Sequence, residues 1–433
     1  MSLIYTLNSI PFTLVFYFFA AIVIWQGVMS LLGGVRFLAY VRREIEKPPV
    51  DFAPPVSIIA PCRGLDQGFK ENLSALFRQH YPAYEIIFVT DRADDEAVAV
   101  IEEARREFES RTHVTSRIVI AGEATESGQK VHNLRAAVAE TEPSSEAFIF
   151  VDTDARPGAA WLRSLVAPLA DEGIGAATGY RWFIPERGGI SSHLRAVWNA
   201  SIASALGERG DKNFCWGGAT AVRRATFEKL GMRDEWRGTL SDDFALMHVL
   251  RRARLPIYFV PACLTASIED CGFGELLEFT TRQLKITRVY ASHFWKAVLV
   301  GSLLFVSVFF GGIALIIVRA ARGLTYALPL TLLSLTFILG AAKAYLRLLA
   351  VRLSLKEYDA PLKRGALMHL TLWPLTSAIY LYNALCALFS RRINWRGITY
   401  ELKSPTKTVI LNRVPAKEDD AASHRRDAET QSR

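Results

Sequence analysis

A chain of 433 residues with 51 Lys and Arg against 43 Asp and Glu, net +8, is nonetheless 51% hydrophobic, with a mean hydropathy of +0.17. With so many charges the average stays positive only if apolar residues gather in long segments, and long apolar segments mean membrane. The composition excludes a disordered chain, a disulfide scaffold and a collagenous repeat, and it argues against a wholly soluble protein.

Residues 11–34 read PFTLVFYFFAAIVIWQGVMSLLGG, with Gln26 the only strongly polar side chain. About 20 apolar residues cross a bilayer core, so this is a transmembrane anchor. A cleaved leader fits less well, because no Lys or Arg precedes the run and the run is too long. Arg36, Arg42, Arg43 and Lys47 follow it, which places the next region in the cytoplasm and the N-terminus outside.

Beyond the anchor, β-branched and aromatic runs alternate with helical patterns. Strands are predicted over 56–60, 85–89, 117–120 and 147–151, and helices over 69–80, 95–109 and 129–140. Such alternation implies an α/β domain whose sheet is mostly parallel and whose ligands bind at the carboxyl ends of the strands. Those ends carry charge. The first strand runs into Pro61-Cys62-Arg63-Gly64-Leu65-Asp66, the second into Thr90-Asp91-Arg92 and the fourth into Asp152-Thr153-Asp154. Acids are costly beside an apolar strand unless something binds them. Asp152 and Asp154 can aim two carboxylates at one ligand region, and hard oxygens of this kind suit Mg2+ or Mn2+ shared with substrate phosphates. An isolated D-x-D also occurs in ordinary solvated turns.

Further on, Cys215-Trp216-Gly217-Gly218-Ala219 is a small-residue segment beside an indole. It either lets backbone approach a sugar or lipid headgroup or forms a packed turn. Ser241-Asp242-Asp243 opens a helical run. It reads as an N-cap with acids in the first turn, which is also a rigid mount for a base. Over 274–297, Arg282, Lys285 and Arg288 share one helical sector and apolar residues much of another. This helix either lies on anionic lipid or offers its cations to a diphosphate.

Three apolar stretches follow, over 298–318, 326–340 and 365–389, the last interrupted by Pro374. Three crossings after the anchor would put the C-terminus outside, whereas Arg391, Arg392, Arg396, Lys403 and Lys407 argue for inside; one stretch is then re-entrant or interfacial. Cys62, Cys215, Cys263, Cys271 and Cys386 include no C-x-x-C pair, consistent with free thiols in a reducing compartment. The chain thus divides into an anchor (1–35), a cytoplasmic α/β domain (36–273), an interfacial helix (274–297), a membrane block (298–390), a cytoplasmic basic segment (391–412) and a disordered tail (413–433).

The ordered set TDRADD, VDTDA, GGATAVRR, SDDFAL, RQLKI and INWRGITYEL resembles the family 2 glycosyltransferases with a GT-A fold. Within them it is most similar to the ceramide glucosyltransferases and their bacterial lipid-glycosylating relatives, chiefly through 61–98 and through GQKVHNL at 128–134. The resemblance spans residues 56–402 and implies an inverting hexosyltransferase of a bacterial inner membrane, with its catalytic domain cytoplasmic. It would move a sugar, glucose, from a UDP-sugar to the hydroxyl of a membrane lipid such as ceramide. Its partners would be UDP-sugar, acceptor lipid and bilayer, with no nucleic acid. By position, Asp91 would contact the uracil or ribose, and Asp152 and Asp154 would hold the metal and diphosphate. Arg63, Lys130, Arg282 and Lys285 would face the nucleotide sugar, and Trp216, Gly217 and Gly218 the acceptor. Asp243 would be the general base, with Asp242 beside it. The chain departs from the family's (Q/R)xxRW pattern, with Lys285 and Ile286 in place of Arg and Trp, which removes a bidentate fork and an indole. A polysaccharide synthase of the cellulose or hyaluronan type and a polyprenyl-phosphate glycosyltransferase are the competing enzyme readings, and a catalytically dead membrane-anchored binding protein is the third.

Overall fold

The computed structural model describes residues 10–48 and 50–413. The expected outward N-terminus and, apart from Arg413, the expected disordered tail fall outside them. Ten helices longer than one or two turns are labelled here. They are α1 (Ile10–Glu46), α2 (Phe69–Phe77), α3 (Glu96–Glu107), α4 (Gln129–Ala139) and α5 (Ile190–Ala203). Then come α6 (Asp242–Arg252), α7 (Phe273–Tyr290), α8 (Ser292–Ala321), α9 (Ala327–Ser354) and α10 (Trp373–Phe389). The chain forms two compact units, one of residues 1–42, 188–204 and 273–389, the other of 43–187, 205–272 and 390–433.

The second unit is built on a seven-stranded sheet. All four predicted strands are present, as β1 (Val56–Pro61), β2 (Tyr84–Thr90), β3 (Val114–Ile120) and β4 (Ala147–Val151). β5 (Ala176–Ile184), β6 (Ala219–Arg223) and β7 (Ile257–Ile268) complete the sheet in the order β3-β2-β1-β4-β6-β5-β7. β1 pairs in parallel with both β2 and β4, β2 with β3, and β5 with β7; β6 alone runs antiparallel, between β4 and β5. Every residue of β2, β4 and β5 is buried, the pattern of strands covered on both faces. An edge-to-face aromatic cluster of Phe148, Phe150, Phe227 and Trp236 fills one side of β4. The sequence order reverses between β1 and β4, and ligands of open α/β sheets bind at such a point. The mostly parallel α/β sheet flanked by apolar helices is the expected fold class, of GT-A type.

The basic segment after the membrane block folds as a three-stranded antiparallel sheet, β8 (Arg392–Trp395), β9 (Ile398–Ser404) and β10 (Lys407–Arg413). Trp395-Arg396-Gly397 is the tight turn between β8 and β9. Arg396 (φ 52°) and Gly397 (φ 71°) are both left-handed, as a two-residue type I′ hairpin requires. The small sheet docks on the large one's loops. The Thr408 amide donates to the Gly238 carbonyl (2.8 Å), and the buried Tyr400 hydroxyl accepts from the Gln129 amide (3.2 Å).

In the helical unit, α1 packs Phe16, Ala20 and Val23 against Val308 and Leu315 of α8 and Leu333 of α9. The helices meet closely at Gly312, where an added Cβ would lie 2.9 Å from the Phe16 ring. Leu14, Phe18, Trp25, Val300, Ile317 and Ile338 point outward, each more than half exposed, as lipid-facing positions do. Among the described residues α1, α8 and α9 are long and apolar enough to cross a membrane. The stretch over 365–389 is instead two helices, Ala366–Thr371 and α10, and α10 has only 17 residues. On α7, Thr280 and Thr281 donate to the Asn383 side chain of α10 (3.2 and 3.0 Å), and the Arg288 guanidinium donates to the Ala387 carbonyl.

Candidate active site

Elements distant in sequence bring four charged groups to the carboxyl edge of the sheet. β4 ends directly on Asp152, with Asp154 two residues on. Lys130 projects from the first turn of α4, and Asp242 is the first residue of α6. The Lys130 Nζ lies 2.7 Å from Asp152 Oδ1 and 3.4 Å from Asp242 Oδ1. Gly217 makes the crowding possible, since a Cβ there would strike the Asp242 carboxylate and sit 2.8 Å from the Lys130 Nζ.

Arg181, from the buried strand β5, closes the cluster. Its guanidinium donates to both oxygens of Asp154 (2.8 and 3.0 Å) and to Asp152 Oδ2 (3.1 Å), and it lies 5.0 Å from the centre of the Trp216 ring. The Trp216 ring is itself buried and flanked by the Gly218 backbone. Nothing in the motifs marked Arg181. The usable signal was an arginine inside the apolar run AATGYRWFI, because a charge in a buried strand must find a partner.

The charges settle one another. Burial works against Lys130 and Arg181, yet neighbouring carboxylates (Asp152 and Asp242 for the first, Asp154 and Asp152 for the second) hold both well above their ordinary values. Burial alone would raise Asp152, but Lys130 and Arg181 bring it below the usual carboxylate range. Asp242 goes the other way. Burial pushes it up to about 6, with Lys130 only partly opposing and Asp243 and Asp152 adding to the rise. An acid with a raised native pKa costs stability as pH climbs from about 4 through 6. Asp242→Asn removes that cost. It is expected to exceed the native chain in stability by about 1–3 kcal/mol at pH 7.5, a gap that narrows as pH falls from about 6 to about 4. Thermal unfolding of both proteins across that range checks this, and a gap indifferent to pH refutes it.

A second group lies at the ends of β1 and β2. The Arg63 guanidinium donates to Asp91 Oδ2, while Asp91 Oδ1 is buried and has no hydrogen-bond partner among the described residues. A buried acceptor left open is a seat for a ligand N–H or O–H. Asp95 caps α3 through the Ala97 amide (2.9 Å) and also accepts from the Gly64 amide (3.0 Å), which fixes the loop that carries Arg63. Arg396, at the β8–β9 turn, donates to the Arg63 carbonyl (2.8 Å) and to Asp66 (2.5 Å). Asp66 is raised by burial, against the pull of Arg396 and with help from Asp154. The W-R-G motif is thus a turn that clamps the β1 loop.

Asp243 is partly buried. Its Oδ1 accepts from the Ser241 hydroxyl and from the Phe244 amide (2.7 Å). Arg282 and Lys285 belong to α7 of the helical unit, where burial holds Lys285 below its usual value and Ile286 is buried. Among the described residues no three His, Cys, Asp or Glu side chains converge as a metal cage. Asp152 and Asp154 remain a fitting donor set for Mg2+ or Mn2+, which commonly take one or two protein carboxylates and complete their shell with phosphate and water. Both side chains are partly open to solvent, and Arg181 and Lys130 at present engage their oxygens.

Acids at a topological switch point, cations around them and three membrane-length helices in the same chain suit a membrane-associated glycosyltransferase of GT-A type. The profile of glycosyl transferase family 21 matches residues 15–408, and the chain belongs to that family. The match is to family 21, where the motifs suggested family 2. Ceramide glucosyltransferase 1 of Caenorhabditis elegans is 28% identical over 117 residues, 26% of this chain and 24% of that protein. Ceramide glucosyltransferase 3 of the same organism is 32% identical over 84 residues, 19% of this chain and 18% of that protein. The aligned stretches therefore span a quarter or less of those relatives. Among solved structures, the mannosyltransferase PcManGT from Pyrobaculum calidifontis, in complex with GDP-Man and Mn2+, is 18% identical with a TM-score of 0.45, covering 86% of this chain and 99% of that one. GalNAc-T7 with UDP, GalNAc and Mn2+ is 16% identical with a TM-score of 0.38, covering 55% and 48%.

Proposed function

We propose that this chain is an inverting hexosyltransferase that moves a sugar, glucose, from UDP-sugar to the hydroxyl of a membrane lipid such as ceramide. The observation that carries the reading is the cluster Lys130–Asp152–Asp154–Arg181–Asp242 at the carboxyl edge of β4, in a chain with three membrane-length helices. Asp91 Oδ1 takes a uracil N–H or ribose hydroxyl, and Arg63 holds Asp91 in place for it. The acceptor hydroxyl is a weak nucleophile, so Asp243 receives its proton as it attacks the anomeric carbon, on the face opposite the departing diphosphate. Lys130 and Arg181 are the protein's own cations beside that diphosphate, and they stabilise the charge it gains. A divalent cation held by Asp152 and Asp154 would add to this stabilisation. Gly217 keeps side-chain volume out of the space next to Asp242, and Gly218 does so beside the Trp216 ring. One displacement without an enzyme nucleophile inverts the anomeric centre.

Sidedness supports the same reading. β8–β10 are hydrogen-bonded into the unit of β1–β7, so both lie on one side of the membrane and the chain between them crosses an even number of times. α8 and α9 supply two crossings, which removes the parity conflict of a third span and agrees with the basic residues after both membrane blocks. That side is the cytoplasm, where sugar nucleotides are made. Membranes from expressing cells given labelled UDP-sugars are expected to yield a labelled, lipid-extractable product. Label confined to a long water-soluble polymer defeats the lipid reading.

A further inference from the structure

The helical unit carries a cation that its own fold leaves unanswered. Arg347 lies on α9, roughly two turns before the helix ends, which sets it about 10 Å inside that end. It is 5% exposed. Among the described residues no hydrogen bond or ion pair reaches its guanidinium, and its Nε is wholly buried without a partner. An arginine keeps its charge at any physiological pH, and a buried charge inside a bilayer-embedded protein is costly unless something pairs with it.

Among the described residues the surroundings supply no anion. His369, on the short helix Ala366–Thr371, feels the charge of Arg347 and of His193 from α5. Lys343, one turn earlier on α9, donates to the Ser30 hydroxyl of α1 (2.7 Å). The Tyr380 hydroxyl, also within electrostatic range, is committed to the Trp198 carbonyl (2.9 Å) and the Ser201 hydroxyl (2.6 Å). Asp359 is bridged by Arg352 and Lys363. The whole unit holds just four carboxylates, Glu275, Glu278, Glu357 and Asp359, against fifteen Lys and Arg. No acid lies in sequence between Glu278 and Glu357.

We propose that Arg347 anchors a binding site inside the helical unit for a phosphate-type oxyanion, such as the headgroup phosphate of an anionic membrane lipid. Its depth, near one end of a membrane-length helix, is that of a headgroup, and the guanidinium fork matches two phosphate oxygens. The site is separate from the sugar-transfer reading, and either can fail without the other.

The test uses the full chain in nanodiscs of phosphatidylcholine, with or without one-fifth phosphatidylglycerol. Retained lipid is read by native mass spectrometry after a high-salt wash, and thermal unfolding is measured alongside. The wash screens lipid held only by surface residues such as Arg36 and Arg42. Phosphatidylglycerol is expected to stay bound through the wash at least tenfold above phosphatidylcholine, with a higher unfolding temperature. Arg347→Leu is expected to lose that retention and Arg347→Lys to keep part of it. Inorganic phosphate added to pure phosphatidylcholine discs gives the second arm. Stabilisation there that depends on Arg347 identifies a soluble anion as the ligand, and its absence beside a phosphatidylglycerol effect identifies the lipid. The native chain alone decides if Arg347→Leu does not fold, because equal retention of the two lipids with no effect of phosphate overturns the site. Retention by Arg347→Leu equal to that of the native chain also overturns it.

Discussion

Changing Asp243 to asparagine is expected to lower kcat by about 10²- to 10⁴-fold, the usual contribution of a positioned base, while UDP-sugar affinity stays within about twofold. The expectation rests on how Asp243 is held. One oxygen, Oδ1, is pinned by the Ser241 hydroxyl and the Phe244 amide at the start of α6, which leaves Oδ2 free to accept a proton. Asparagine can keep both pinning bonds through its carbonyl and loses only the basic oxygen, so the change is chemical rather than structural. Asp242 provides the contrast. It is buried against Lys130, and its loss disturbs the cluster assigned to the donor in the proposed reaction, so Asp242→Asn should act mainly through KM. Steady-state kinetics paired with calorimetric UDP binding separates the two. If Asp242→Asn carries the kcat loss and Asp243→Asn does not, the roles are exchanged.

What could be read from the sequence follows from what each feature depends on. β4 is a continuous apolar run, and β1 and β2 hold the shorter runs 58–61 and 86–89, because both faces of a parallel sheet are covered, and runs of that kind announce themselves locally. β5, β6 and β7 do not. They contain Gly179, Arg181, Arg223 and Pro261, and their place in the sheet comes from antiparallel pairing of β6 with β4 and β5. The acids were visible because they end strands. Their cations were not, because Arg181 reaches Asp154 only once β5 has been threaded past β6, and Arg396 meets Asp66 from 330 residues away. The W-R-G motif was recognisable as a signature but its purpose was not, since a type I′ turn gives no hint of what its arginine will touch. In the membrane block, composition marked three apolar stretches alike. What separates the last is a break after Thr371 that leaves α10 short, with Asn383 buried toward α7.

Arg181→Met is expected to cut sugar transfer at least 100-fold and, in the opposite direction, to tighten Mn2+ binding by tenfold or more. Both follow from one geometry. The guanidinium now occupies both oxygens of Asp154 and one of Asp152, the atoms a divalent cation needs, so removing it opens that seat, strips Asp154 of its paired cation and leaves Asp152 with Lys130 alone. Like charges left together in a partly buried site repel, and a 2+ ion relieves this better than water does. Transfer still falls, because in the proposed reaction the same arginine is the fixed cation next to the leaving diphosphate, and it also supports the Trp216 ring. Stability separates this from simple damage. Breaking a buried pair commonly costs about 3–5 kcal/mol. With EDTA present the variant should therefore unfold well below the native chain, and Mn2+ should recover much of the difference in the variant while shifting the native chain less. An Arg181→Met protein that binds Mn2+ no more tightly than the native chain, measured calorimetrically without donor, would mean that Asp152 and Asp154 are not where the metal sits. The cations of the cluster would then be what neutralises the diphosphate.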